Sequence, residues 1–166
     1  SKWSGFIKNE ELLVDKNFFK TMSSKGIKWG FVSGAEPESA KFILEHKLKL
    51  NKPPLIAMHD APDKPDPTGF IALAKQLTED KLGMESPPIA YVGDTIADVK
   101  TVINARKQIT NQRFISIAVS PPHLHLKSAL ERRIKYEANL REAGADLILQ
   151  KLTDLNSIYK YIFITN

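Results

Sequence analysis

The chain has 166 residues, 42% of them apolar and 26% charged, which suits one soluble domain with its own core and not a disordered segment. Its 24 Lys+Arg against 19 Asp+Glu give a net charge of +5, but the bases are interleaved with acids, as in "KSALERRIKYEANLRE". That pattern reads as a solvated helix face and not a nucleic-acid surface, and a mild positive field also suits an anionic small substrate. No apolar run nears the ~20 residues that span a bilayer, no secretory signal pattern is present, and zero cysteines exclude disulfides and thiolate chemistry, so the expected setting is cytoplasmic with no membrane partner.

In chain order, Asn9 to Ser23 is predicted as a helix with Leu12, Leu13, Phe18, Phe19 and Met22 as its apolar face. From Gly26 onward, short apolar runs alternate with amphipathic stretches. The runs are "IKWGFVSG", "PLIAMHD", "IAYVGD", "FISIAVS" and "ADLIL". Between them lie helices predicted over Pro37 to Leu48, Pro67 to about Leu82, Thr95 to about Thr110 and Leu124 to Ala143. The last carries Leu126, Leu130, Ile134 and Ala138 at helical spacing. The apolar runs do not alternate, as expected of strands buried on both faces. Strand–helix repetition of this kind predicts an α/β fold, a doubly wound parallel sheet. The whole of 1–166 reads as one domain: a leading segment and helix at 1–25, a core at 26–149, and a tail at 150–166 that opens with a short helix capped near Thr153.

Ligands of open parallel sheets bind beyond the carboxyl ends of the strands. The residues there are Ser33 and Gly34, then His59-Asp60 running into "APDKPDP", then Gly93-Asp94, then Ser120 with "PPHLH". A hydroxyl, a lysine and paired acids on one edge suit a phosphoryl group held with a divalent cation. Each has a local reading too. Ser33 closes a turn or caps the next helix. Asp66 caps a helix with Pro67 at its first position, leaving Lys64 a solvated charge. Thr95 and Asp98 fit a capping box. Capping leaves Asp94 unexplained, since it precedes the cap at the strand's end, where the helix N-terminus favours a negative charge. His123 and His125 are spaced as metal ligands on an extended segment but lack a third partner, which favours a surface or packing role.

The ordered set "WGFVSG", "DKPDP" and "VGDTIAD" resembles motifs two, three and four of the haloacid dehalogenase superfamily, closest to its subfamily IA phosphatases, over roughly Gly26 to Leu149. The resemblance implies a Rossmann-like core and an Mg²⁺-dependent phosphomonoester hydrolase working through an aspartyl-phosphate. It makes Ser33 and the Gly34 amide the binders of phosphoryl oxygens, and Lys64 the neutraliser of charge on substrate and nucleophile. Asp94 becomes the direct Mg²⁺ ligand. Asp98 becomes a holder of metal-bound water or the residue that orients Lys64. The expected partner is a phosphorylated small molecule.

The family's first motif, an Asp-x-Asp pair ending the first strand, has no counterpart, because no such pair occurs in the 166 residues. Asp15 is the only early candidate. It lacks a partner two positions on, lies in the predicted first helix, and is rejected. The expectation is therefore a C-terminal part of a larger hydrolase that lacks motif one and cap, silent by itself, with the first central strand missing from the sheet. The strands ending at Ser33 and Asp94 would then pair directly, self-associate through exposed edges, or need the missing segment. The alternative is a non-catalytic module that binds phosphate or a protein in the same crevice.

Overall fold

A computed structural model describes residues 14–155 and 159. Helix α1, Lys16–Ser24, begins where the Asp15 carboxylate accepts from the Phe18 amide at 3.2 Å. Asp15 is thus a helix cap and not part of the helix, and the predicted stretch 9–13 lies outside the described residues. Strand β1, Phe31–Val32, follows, then α2, Pro37–Lys41, which widens into a π-helical turn at Phe42–Lys47. Next come β2, Leu55–Ile56, and α3, Thr68–Leu77. The third helix is shorter than predicted. It stops before Glu79 and Asp80, whose φ values of 54° and 62° are left-handed and end a right-handed helix.

Strand β3, Ile89–Gly93, leads into α4, Ile96–Gln108, and β4 is Phe114–Val119. Two single 3₁₀ turns, Pro122–His125 and Lys127–Ala129, precede α5, Leu130–Ala143, and β5 is Leu147–Leu149. The predicted helix from Leu124 therefore starts six residues late, because Leu126 is extended, with ψ 145°. A 3₁₀ turn at Leu152–Asp154 opens the tail, and the described residues beyond it, Leu155 and Tyr159, are helical. The turn's cap is the Asp154 carboxylate, 3.3 Å from the Lys151 amide, and not Thr153.

All described strand pairs are parallel, as the unbroken apolar runs predicted. They form two sheets: β1 with β2, and β3-β4-β5 with β4 in the middle. Helices cover both faces. Phe70, Val102, Ala105 and Phe114 join α3 and α4 to one face of β4, while Ile115, Ile117, Val119 and Leu149 look the other way. On that second side Phe18, Phe19, Leu44 and Leu48 pack α1 and the π turn around Phe31. Direct pairing of β1 with β3, one of the three outcomes expected for an incomplete sheet, does not occur among the described residues.

The fifth helix is turned the opposite way from its sequence pattern. Leu126, Leu130 and Ile134 are 61%, 48% and 59% exposed, and Ala138 is exposed as well. The buried side instead carries Tyr136 and Leu140 against Val99 and Ala118. Polar bonds hold that orientation: the Tyr136 hydroxyl donates to the Asp94 carbonyl, and Ser120 Oγ donates to the Glu137 carboxylate at 2.9 Å.

Candidate active site at the carboxyl ends of β1 and β3

The site is organised around Asp98. Thr95 is the N-cap of α4, its hydroxyl accepting from the Asp98 amide at 3.1 Å while the Asp98 carboxylate reaches back, so the predicted capping box is present. The same carboxylate does more. Its Oδ2 accepts from the amides of Asp94 and Thr95, each at 3.1 Å, and from the Thr95 hydroxyl at 2.8 Å. Its Oδ1 accepts from Lys64 Nζ at 2.6 Å and from the Tyr91 hydroxyl at 3.1 Å. Five donors on a side chain that is 5% exposed compensate the cost of burying its charge.

This crowding explains Gly93. A Cβ there would lie 2.4 Å from both Cβ and Cγ of Asp98, so only glycine lets the strand end approach the carboxylate this closely. Lys64 comes from far along the chain, and its loop is pinned locally. The Asn104 side chain donates to the Pro65 carbonyl at 3.0 Å, the Asp60 carboxylate accepts from the Ala57 amide at 2.8 Å, and Asp66 accepts from the Thr68 amide at 2.9 Å. The N-cap of α3 is Pro67 and not Asp66, which instead bonds the first helical amide from one residue further out. Lys64 is not the solvated charge of the local reading: its side chain is 25% exposed and paired with Asp98.

Asp94 is buried, at 8% exposure, immediately beyond β3. Its amide donates to Asp98, and its carbonyl accepts from Tyr136. Ser33 stands at the end of β1 on the other side of the gap between the sheets. Its amide donates to the Ile56 carbonyl at 2.8 Å, and its hydroxyl accepts from the Ala35 amide at 3.1 Å, closing a turn that includes Gly34. Lys64, Asp94 and Asp98 are therefore joined by direct bonds, with Ser33 and Gly34 at the neighbouring strand end. His125 Nε2 is 2.9 Å from the Ser120 carbonyl oxygen, a packing role, and His123 is exposed.

Two tyrosines were not anticipated. Tyr91 stacks on Phe70 at 4.9 Å between centroids while its hydroxyl reaches Asp98. Burial above all, then the Asp98 carboxylate beside it, pushes its phenol well above the usual range. Tyr136 is raised by burial and then by Asp94 and Asp98. Tyr91 sits two residues before the Gly93-Asp94 pair on a period of two, the one signal that placed it on the same strand face as Gly93. Tyr136 lies on the helix face that the apolar pattern pointed away from the core, so no sequence signal marked it.

The donor set can be judged for a hard divalent cation. Both Asp98 oxygens accept from protein donors, and Asp94 is the second carboxylate at this edge. No cluster of three or more His, Cys, Asp or Glu forms among the described residues. One carboxylate with water and phosphate oxygens suits Mg²⁺, which keeps much of its hydration.

A family model described as haloacid dehalogenase-like hydrolase matches residues 13–106, more than half of the chain. The chain belongs to that family. A solved structure of a phosphonoacetaldehyde hydrolase-like protein from Oleispira antarctica is similar at 20% identity and TM-score 0.69, covering 89% of this chain and 55% of that one. A second solved structure matches at 15% identity and TM-score 0.69, over 97% of this chain and 88% of its own. These likenesses carry the fold. The chain spans little more than half of the Oleispira protein's length, and no curated protein matches it. No described helix is long and apolar enough to cross a membrane.

Proposed function

We propose that the chain is the substrate-charge and metal side of an Mg²⁺-dependent phosphomonoester hydrolase. The observation that carries this is Lys64 Nζ held 2.6 Å from Asp98 Oδ1 while Asp98 Oδ2 binds the Asp94 amide. A cation and a strand-end carboxylate are thereby fixed within one bonded unit. Phosphoryl transfer depends mainly on such prepositioned charges and donors.

In this reading Lys64 binds a phosphoryl oxygen, and Ser33 with the Gly34 amide binds others. Asp98 orients the lysine and does not ligate the metal. Asp94 would hold Mg²⁺, which when bound would neutralise phosphate charge. The phosphorylated small molecule enters at the carboxyl edge. The attacking aspartate comes from an Asp-x-Asp strand that these 166 residues do not contain, so the substrate turns over through an aspartyl-phosphate only when that strand is supplied. The missing Asp-x-Asp pair also favours a second reading: by itself the chain is a non-catalytic phosphate-binding module.

The test compares hydrolysis of p-nitrophenyl phosphate by the 166-residue chain and by a form extended upstream through an aspartate-bearing strand, each with and without Mg²⁺. Activity is expected only in the extended form with metal. Equal activity in both forms would sink this division of roles. Titration of inorganic phosphate and Mg²⁺ against the short chain, followed by chemical shifts at Gly34 and Asp94, checks the module reading.

A further inference from the structure

Helix α5 carries its polar anchors on the buried side. Arg133, Tyr136, Glu137 and Leu140 follow at i, i+3, i+4 and i+7, the inward stripe of the helix. Two of them fix its height against the sheet. The Tyr136 hydroxyl donates to the carbonyl of Asp94, just beyond β3, and the Glu137 carboxylate accepts from Ser120, just beyond β4. From there the helix descends to Ala143, and the chain returns through β5, parallel to β4. Arg133 precedes Glu137 by four residues, so it stands ~6 Å above the strand ends. Helical side chains lean toward the N-terminus, which carries its guanidinium further out, over the carboxyl edge.

Arg133 is poorly matched where it stands. Its side chain is 22% exposed, and its Nε is buried with no hydrogen-bond partner among the described residues. The facing oxygen, Glu137 Oε2, lies 3.9 Å away, beyond hydrogen-bond length, and already accepts from Ser120 Oγ at 2.9 Å. An arginine needed only for charge could stand outward, as Arg132 and Lys135 do. A guanidinium held largely out of water, with its fork still to be filled, suits a planar anion.

We propose that Arg133 binds a carboxylate of the substrate, so that the molecule hydrolysed is a phosphorylated carboxylic acid. The inference rests on the phosphatase reading and adds a substrate class to it. Lys64 and the turn at Ser33 and Gly34 take the phosphoryl group, while Arg133 takes the second anion from the α5 side of Asp94. One helical turn separates Arg133 from the level of Asp94, a gap that a short carbon skeleton spans. A carboxylate suits the place better than a second phosphate. Glu137 stays beside it, and a dianion would meet about twice the repulsion of a monoanion.

Chemical shifts of the 166-residue chain at Gly34, followed with 3-phosphoglycerate and with glycerol 3-phosphate, test this. The two ligands differ by a carboxylate in place of a hydroxymethyl group. Wild type is expected to bind 3-phosphoglycerate about tenfold tighter, and Arg133→Gln to cut that preference to about twofold or less. Arg133→Lys should keep part of it. Arg132→Gln, which removes the same charge from an exposed position, should leave the preference whole. Equal affinities of wild type for the two ligands overturn the proposal and leave phosphate binding standing. A loss in Arg133→Gln that is the same for both ligands assigns the arginine to the fold and also overturns it. An equal drop in Arg132→Gln does so too, by reducing the effect to net charge. No shift at Gly34 with either ligand or with inorganic phosphate overturns the phosphatase reading and this inference with it.

Discussion

Strands β1 and β4 are written in similar apolar code, "GFV" and "FISIAV", yet they meet different environments. All six residues of β4 are buried between β3 and β5, with Ile117 at 1% exposure. Both residues of β1 are only half-buried, and among the described residues the strand has a partner on one side only. The stability of the molecule is therefore concentrated in the three-stranded sheet, while the functional residues straddle the boundary. Asp94 and Asp98 are anchored to the rigid sheet, and Ser33 is carried by the two-stranded pair. A fold that stores its rigidity on one side of the crevice leaves the other side adjustable.

The sharpest way to break that contrast is Gly93→Ala. Its Cβ would collide with Asp98, and a loss of about 4 kcal/mol is expected in thermal or urea unfolding, since a buried, fully bonded carboxylate must move. A melting point unchanged by this substitution would remove the argument that the strand end and Asp98 are in forced contact. Next come paired core truncations. Ile117→Ala in β4 is expected to cost about 3–4 kcal/mol, and Val32→Ala in β1 about 1 kcal/mol. Equal costs would mean that the two sheets are equally well supported.

Asp98→Asn should cost about 2 kcal/mol, because it puts an amide group against the Lys64 ammonium and the Asp94 and Thr95 N–H donors. In an active extended form it should also reduce kcat more than Asp66→Asn does, since Asp66 bonds only the first amide of α3. The smallest effect is expected for Tyr91→Phe, about 1 kcal/mol at neutral pH from the lost bond to Asp98. Its sign with pH follows from linkage. The folded-state phenol is raised above its ordinary value of 10.0, so above pH ~10 the unfolded chain gives up that proton before the folded one does. Tyr91's contribution is therefore complete below that pH and declines above it. The stability gap between wild type and variant should narrow on going from pH 9 to pH 11, and a gap that widens would contradict the burial assigned to Tyr91.

Much of this was legible from residues alone. Five apolar runs mark the five described strands, and a helix lies in each predicted interval between them, though α3 ends early and α5 starts late. Strand-end placement singled out Ser33, Lys64, Asp94 and Asp98, because in a parallel sheet the residues that follow each run share one edge. The capping box at Thr95 was readable from spacing, since it is a local motif. The shortfalls have local and long-range causes. Left-handed residues at Glu79 and Asp80 shortened α3, and no periodicity announces them. The apolar stripe Leu126–Leu130–Ile134 pointed the wrong way because two hydrogen bonds from Tyr136 and Glu137's side of the helix, made to partners distant in sequence, outweighed it.

By itself the sequence determined the order of elements, the parallel character of the strands and the edge where chemistry would gather, because each depends on short-range pattern and on rules common to all twisted sheets. Only the tertiary structure decided that Asp98 accepts from five donors, that Lys64 is paired, and that the described strands form two separate sheets. Those outcomes depend on groups tens of residues apart meeting within hydrogen-bond distance, and on which strands pair. Periodicity along the chain carries neither.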